Sequence, residues 1–249
     1  MPRNHHKPFS YTTSIVAVRD LPPSLIEHMV RLYLNNFDGS SEALFREDLA
    51  AKDEVILLSS DSELVGFTAL HKYASTLDGD AILIIYSGDT IVDRPHWGQQ
   101  QLARAWIARM GQFKAKAPDC RLYWFLLVKG HRTYKYLSVF GKTFHPHWSE
   151  TRPDLKRLAD KLAKERFGDT YDPDSGIVSF PTSRGHLKPQ IAEPSPEELT
   201  KPSTRFFLEV NTGFRAGHEL VCVCELEPSN MKPLAERIFR EAMQAGGGR

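Results

Sequence analysis

IVDRPHWGQQQLARAW, residues 91–106, joins two kinds of sequence. Upstream lies AILIIY (residues 81–86), apolar at every position. A run without polar alternation reads as a central strand covered on both faces, and it can continue to Val92. Downstream, Leu102, Trp106 and Met110 recur at helical spacing, so residues 99–110 read as an amphipathic helix. A buried strand that turns into a helix offers unpaired backbone N–H groups and the positive end of a helix dipole, which suits an anion. The same stretch also reads as a turn and nothing more.

Working outward, residues 54–73 (EVILLSSDSELVGFTALHKY) read as two strands joined at Ser60-Asp61-Ser62, an antiparallel hairpin. Residues 14–18 (SIVAV) are a short β-branched strand. LPPS then opens a helix carrying Leu25, Met29, Leu32 and Asn36, and residues 41–51 make a second one. Residues 121–128 (RLYWFLLV) are a further buried strand, residues 134–140 a short helix ending near Gly141, and residues 142–144 can re-enter the sheet. Through residue 148 the order is β-α-α-β-β-β-α-β-α.

Beyond Trp148 the character changes. Residues 153–167 form a charge-rich helix with Leu155, Leu158 and Leu162 as its apolar side. Residues 176–180 suit a strand. Residues 186–203, rich in Pro, Glu and Ser, read as an extended connector. Residues 205–210 and 219–226 read as strands around a hairpin loop, TGFRAG, and residues 232–245 as a closing helix. The expected division is a flexible N-terminus (1–12), a core domain (13–148), a C-terminal extension that packs on or completes it (149–245) and a flexible tail (246–249). The fold class is mixed α/β, of the α+β type, with a central mixed sheet flanked by helices and a C-terminal α/β extension.

Lys plus Arg number 32 against 31 Asp plus Glu, so no whole-protein field draws the chain to nucleic acid or an acidic membrane. Cys120, Cys222 and Cys224 are odd in number and match no zinc framework. With no apolar h-region in MPRNHHKPFS and no run long enough to span a bilayer, the expectation is a cytoplasmic protein with reduced thiols. Cys222 and Cys224 alternate with valines and read as buried small hydrophobes. His145 and His147 share one side of a strand but lack a third ligand, so no metal is expected.

The element order and the turn together resemble the GNAT superfamily of acyl-CoA-dependent N-acyltransferases over about residues 14–148. In that family a fourth strand leads into a turn of the form (Gln/Arg)-x-x-Gly-x-(Gly/Ala), whose backbone N–H groups bind the CoA pyrophosphate. Here Pro95 and Gly98 fall near the family's Pro and first Gly, while Trp97, Gln100 and Leu102 replace its more usual residues. The segment HRTYKYLSVFGKTF (residues 131–144) is similar to the family's second landmark, without its Asn and with Leu137 at the position of its Tyr.

The resemblance implies acyl transfer from acetyl-CoA or another acyl-CoA to a small-molecule or peptide amine, with an acyl carrier protein as another possible donor. Cofactor contacts are then expected from Ile91, Val92, Trp97, Gly98, Gln99, Gln100, Gln101 and Leu102. Tyr136, or else Tyr134, would protonate the departing thiolate, and Asp89, with Asp93 as the other candidate, would be the base. Asp89 follows Ser87-Gly88, so a bulge there can splay the strand and expose N–H groups to the acyl oxygen. Each has a plainer reading: Asp89 as a turn residue, Tyr136 as core aromatic, Trp97 as packing. A GNAT-like ligand-binding or protein-interaction module without catalysis is the rival, and strands at 205–226 can pair two copies into a homodimer.

Overall fold

The computed structural model describes residues 9–246. Its elements are β1 (Tyr11–Ala17), α1 (Pro23–Asn36), β2 (Phe37–Asp38), α2 (Glu42–Ala50), β3 (Glu54–Ser60), β4 (Glu63–Leu77), β5 (Asp80–Val92), α3 (Gln101–Lys116), β6 (Arg121–Val128) and α4 (His131–Phe140). There follow α5 (Pro153–Phe167), β7 (Tyr171–Asp172), β8 (Ile177–Val178), β9 (His186–Leu187), α6 (Pro189–Ala192), α7 (Pro196–Leu199), α8 (Pro202–Val210), β10 (Glu219–Glu225) and α9 (Pro233–Gly246).

One sheet runs β1-β3-β4-β5-β6-β10-β8-β7, with β2 and β9 forming a separate two-stranded ribbon. Neighbours in the large sheet are antiparallel except β5 and β6, which are parallel. The class is the mixed α/β expected, with helices on both faces. Alternation assigns the faces. Val55, Leu57, Ile82, Ile84, Tyr123, Phe125, Val221 and Val223 turn towards α1, α2 and α5. Ile56, Leu58, Ile85, Leu122, Trp124, Leu126, Leu220 and Cys222 turn towards α3, α4, α8 and α9. Cys222 and Cys224 are core residues.

The 54–73 hairpin, the strand through Val92, the strand at 121–128 and the helix at 153–167 stand where the sequence puts them. Residues 11 and 12 already belong to β1, while residues 1–8 and 247–249 of the expected flexible ends lie outside the described residues. Helix α4 starts three residues earlier than expected, because His131, Tyr134 and Leu137 bury one face.

Two regions differ in kind. Residues 205–210 are not a strand but most of α8: Ser203, Thr204 and Phe207 are buried at helical spacing, and Pro202 occupies the first turn. The paired strands around TGFRAG are therefore absent. The extended connector is helical beyond β9, since Pro189 and Pro196 each open a short turn and Ser195 with Glu198 forms a capping box. Residues 142–144 add no strand. Thr143 is held by Asn230 through its N–H (2.9 Å) and hydroxyl (2.8 Å), and the segment makes isolated bridges at Gly141–Met231 and His145–Val223. β10 has β6 on one side and β8 with the His145 bridge on the other, so it is no free edge for pairing two copies.

Helices α3 and α9 cross at Gly111, where an added Cβ would lie 2.4 Å from the Phe239 carbonyl oxygen. Alanine normally stabilises a helix by about 1 kcal/mol over glycine. Here that gain is outweighed by overpacking of about 1–3 kcal/mol. Gly111→Ala is expected to lower the thermal midpoint, as read by circular dichroism; a rise would show that the helices do not meet at this residue.

Candidate functional site

The parallel ladder of β5 and β6 runs from Ile82–Arg121 to Ser87–Leu126 and stops. On its other side β5 pairs with β4, and the register shifts between Thr68–Thr90 and Leu70–Ser87. Gly88 and Asp89 thus share one position opposite Ala69, which is the bulge expected from Ser-Gly-Asp. One extra residue reverses the alternation: Ile82, Ile84 and Tyr86 share their face with Ile91. Past the bulge, the β5 edge towards β6 has no ladder partner. The gap between the strands is a cleft of about 1100 Å³ that reaches both faces of the sheet.

On the α3/α4 side the cleft is walled by Val92, Trp97, Gly98, Gln99, Gln100, Arg104, Arg132, Lys135 and Tyr136. Gly98 takes φ +90°, a conformation that favours glycine. The turn is braced from outside: Asp93 accepts from the Arg94 N–H at 2.9 Å, and Tyr11 Oη lies 3.1 Å from His96 Nδ1. Asp93 is therefore a cap and not a wall residue. Trp97 donates its indole N–H to the Val92 carbonyl at 2.8 Å and lies beneath the Arg132 guanidinium, 4.7 Å from the ring centroid. Helix α3 begins two residues later than expected because the Gln99 side chain accepts from the Leu102 N–H at 3.1 Å. One donor of the helix start is thus taken by the chain itself. Gln101 is exposed outside the cleft wall, and the Leu102 side chain is in the core, so neither offers a side chain to a ligand here.

Tyr136 is half-buried against Phe140, lines the cleft, and burial raises the pKa of its hydroxyl. Tyr134, the other candidate, is fully buried and donates to the Pro146 carbonyl at 2.8 Å, so it belongs to the core. His145 and His147 do not converge either: His145 bridges to Val223, and His147 stacks on Trp148 at 4.1 Å. Among the described residues no three His, Cys, Asp or Glu side chains gather as a metal site.

The other half of the cleft opens between α1, α2 and α5. Asp89 stands here with Asp48, Glu219, Lys129 and Arg166. Lys52, with its side chain fully buried, pairs with Asp48 across Gly88, where an added Cβ would lie 2.5 Å from Lys52 Cε. Lys129 pairs with Glu219 at 3.3 Å. Burial first, then the Asp48 carboxylate, push the Asp89 pKa up to about 7, with Lys129 and Lys52 pulling against them. Burial would lower the Lys129 pKa, but Glu219 and Asp89 carry it above its usual value. Sequence reasoning singled out Asp89 but missed Asp48, Glu219, Lys129 and Arg166. No local motif marks them, because their meeting depends on β10 lying beside β6.

No protein-family model and no curated protein matches the chain. Solved structures similar to it include a GNAT family N-acetyltransferase from Escherichia coli in complex with CoA, at 16% identity and TM-score 0.37, covering 55% of this chain and 72% of that one. Another is a Trypanosoma brucei acetyltransferase, at 14% identity and TM-score 0.38, covering 57% and 98%. A third, from Enterococcus faecalis V583 and described as a probable N-acyltransferase, shows 12% identity and TM-score 0.40 over 54% of this chain. The match spans 33% of the length of that Enterococcus protein.

The raised Asp89 pKa has a consequence for stability. The folded carboxyl keeps its proton up to about pH 7, whereas the unfolded one loses it near the ordinary value of 3.8. Between those values the native state binds the extra proton, so stability falls as pH rises through this window. Asp89→Asn should flatten the fall in thermal midpoint between pH 5 and pH 8 and raise the midpoint at pH 8 by a few °C. An unchanged pH profile in the variant would place an ordinary carboxylate at this position.

Proposed function

We propose that the chain is an acyl-CoA-dependent N-acyltransferase, with the acyl donor entering the cleft from the α3/α4 side and the amine from the α1/α2/α5 side. The observation that carries this reading is the fork between β5 and β6. It leaves a free strand edge beside a helix start, and it holds Asp89 and Tyr136 in one cleft. Bound acyl-CoA would supply an activated thioester carbonyl. The backbone N–H groups of Gly98 and Gln100 and the side chains of Arg104 and Lys135 suit its phosphates, whereas Arg132 is already paired with Glu198 at 2.9 Å. The unpaired edge of β5 beyond Ser87 suits the acyl oxygen.

Asp89 takes a proton from the incoming ammonium, which leaves a free amine to attack the carbonyl carbon. The new C–N bond forms as the C–S bond breaks. Tyr136 hands its proton to the leaving sulfur and recovers one from the acylated nitrogen through solvent. A carboxylate with a pKa near 7 suits this work, because it is ionised at mildly alkaline pH and still basic enough to accept. The Gln99 side chain on the Leu102 N–H favours the rival reading, a module of this fold without catalysis.

Calorimetry against CoA and acyl-CoAs of increasing length separates the two. Saturable binding that Gly98→Val abolishes is expected, whereas no binding by any acyl-CoA sinks the CoA-dependent reading. If the turn is the anion site, Gln99→Ala frees a donor and tightens CoA binding by about tenfold, equivalent to about 1.4 kcal/mol, while lowering the thermal midpoint through the lost cap. With an amine substrate in hand, Tyr136→Phe should lower kcat by about a hundredfold with little change in KM. Asp89→Asn should remove the rise in kcat/KM through about pH 7. A full rate in either variant would take that residue out of the chemistry.

A further inference from the structure

The amine-side half of the cleft contains charges that the transfer step does not use. Arg166, at the end of α5, stands over the face of buried Tyr86, its guanidinium carbon 4.1 Å from the ring centroid. Arg184 stands over Phe180 at 5.4 Å. All four residues line the cleft. Lys129 of the same wall is paired with Glu219, and Lys52, buried behind the wall, with Asp48. Neither arginine lies within 4.0 Å of an Asp or Glu among the described residues. With those two pairs closed, two guanidiniums of the wall lack a close ion-pair partner, and the carboxyls in the same position are Asp89, at the fork, and Glu47, exposed on α2.

The segment that carries Phe180 and Arg184 is held in place. It leaves β8, crosses the mouth, and is pinned by the ribbon in which Phe37 pairs with Leu187 and Asp38 with His186. Gly217 meets the same strap closely, since an added Cβ there would lie 2.5 Å from the Gly185 carbonyl oxygen. Leu187 presses on Gly130 at the start of α4 in the same manner. A guanidinium stacked on a ring keeps its edge N–H donors for a planar anion, and it is fixed by the stack at little further entropic cost.

We infer that the acceptor is a zwitterion, an amine that also carries a carboxylate, with its nitrogen at Asp89 and its carboxylate at Arg166 and Arg184. The inference rests on the acyl-transfer reading only for which end of the acceptor reacts. The binding site itself is independent of it.

The test is calorimetric binding to the full chain of two matched pairs, L-phenylalanine against 2-phenylethylamine and L-lysine against cadaverine, with and without CoA. In at least one pair the carboxylated member is expected to bind tenfold or more tightly than its decarboxylated twin. Arg166→Gln and Arg184→Gln should each cut that preference at least fivefold and leave CoA affinity unchanged, and Arg184→Lys should recover part of it. Absence of a preference in both pairs, weak binding included, overturns the inference. So does a tenfold loss of CoA affinity in the arginine variants, which would assign both residues to the acyl donor. Preference retained without any acyl-CoA binding would sink the transfer reaction and leave the zwitterion site standing. Preference lost with acyl-CoA binding intact would do the reverse.

Discussion

The molecule is organised by a ladder that stops. Parallel strands need continuous slanted hydrogen bonds, and β5 and β6 keep them only as far as Ser87 and Leu126. At that end the buried Trp124 indole donates to the Ser87 hydroxyl at 2.8 Å, so a side-chain bond closes the ladder where the backbone bonds cease. The bulge at Gly88–Asp89 occurs at the same level. Together they turn β5 away from β6 while returning Ile91 to the core face, so the sheet opens without losing its packing. Gly88 is needed there because the Lys52 side chain crosses it. The cleft, the free strand edge and the raised pKa of Asp89 all follow from this fork.

The parts of this arrangement legible in the sequence were those specified by local physics. An uninterrupted apolar run such as AILIIY has few alternatives to a central strand, and Ser-Gly-Asp at its end is bulge chemistry in plain view. The register in which Pro153–Phe167 buries Leu155, Leu158 and Leu162 is equally local. Reading failed where two local signals competed. In RFFLEV (residues 205–210) the paired phenylalanines and the valine favour a strand, yet tertiary burial of Thr204 and Phe207 on one face of a helix decides the matter. In residues 186–203 the prolines favour a break in regular structure, yet a proline in the first turn of a helix loses nothing. The turn shows the same limit: Gly98 was readable, but the Gln99 side chain capping its own helix depends on an orientation that no composition reveals.

The site divides in the same way. Its α3/α4 wall comes from two stretches, 92–104 and 132–136, of which the sequence singles out Val92, Trp97 to Gln100 and Tyr136 but not Arg104, Arg132 or Lys135. Its other wall draws Asp48 from α2, Asp89 from β5, Lys129 from beyond β6, Arg166 from α5, Arg184 from the strap and Glu219 from β10. No two of these are near in sequence, and each is an ordinary surface residue type taken alone. What brings them together is one insertion: β10 enters the sheet beside β6, so that Glu219 meets Lys129, and its far edge accepts β8, from which the strap returns to β2.

This geometry limits how the amine side can form. The carboxyl of Asp89 is raised by burial and by Asp48, and the same pocket owes much of its enclosure to elements after residue 150. Loop-closure entropy makes contacts so far apart in sequence late and costly to assemble. The acceptor wall takes its charged groups from six separated stretches, whereas the donor wall takes most of its groups from 92–104 and 132–136. The same division lets the acceptor wall change by substitutions in the strap and α5 while the fork that positions Asp89 stays as it is.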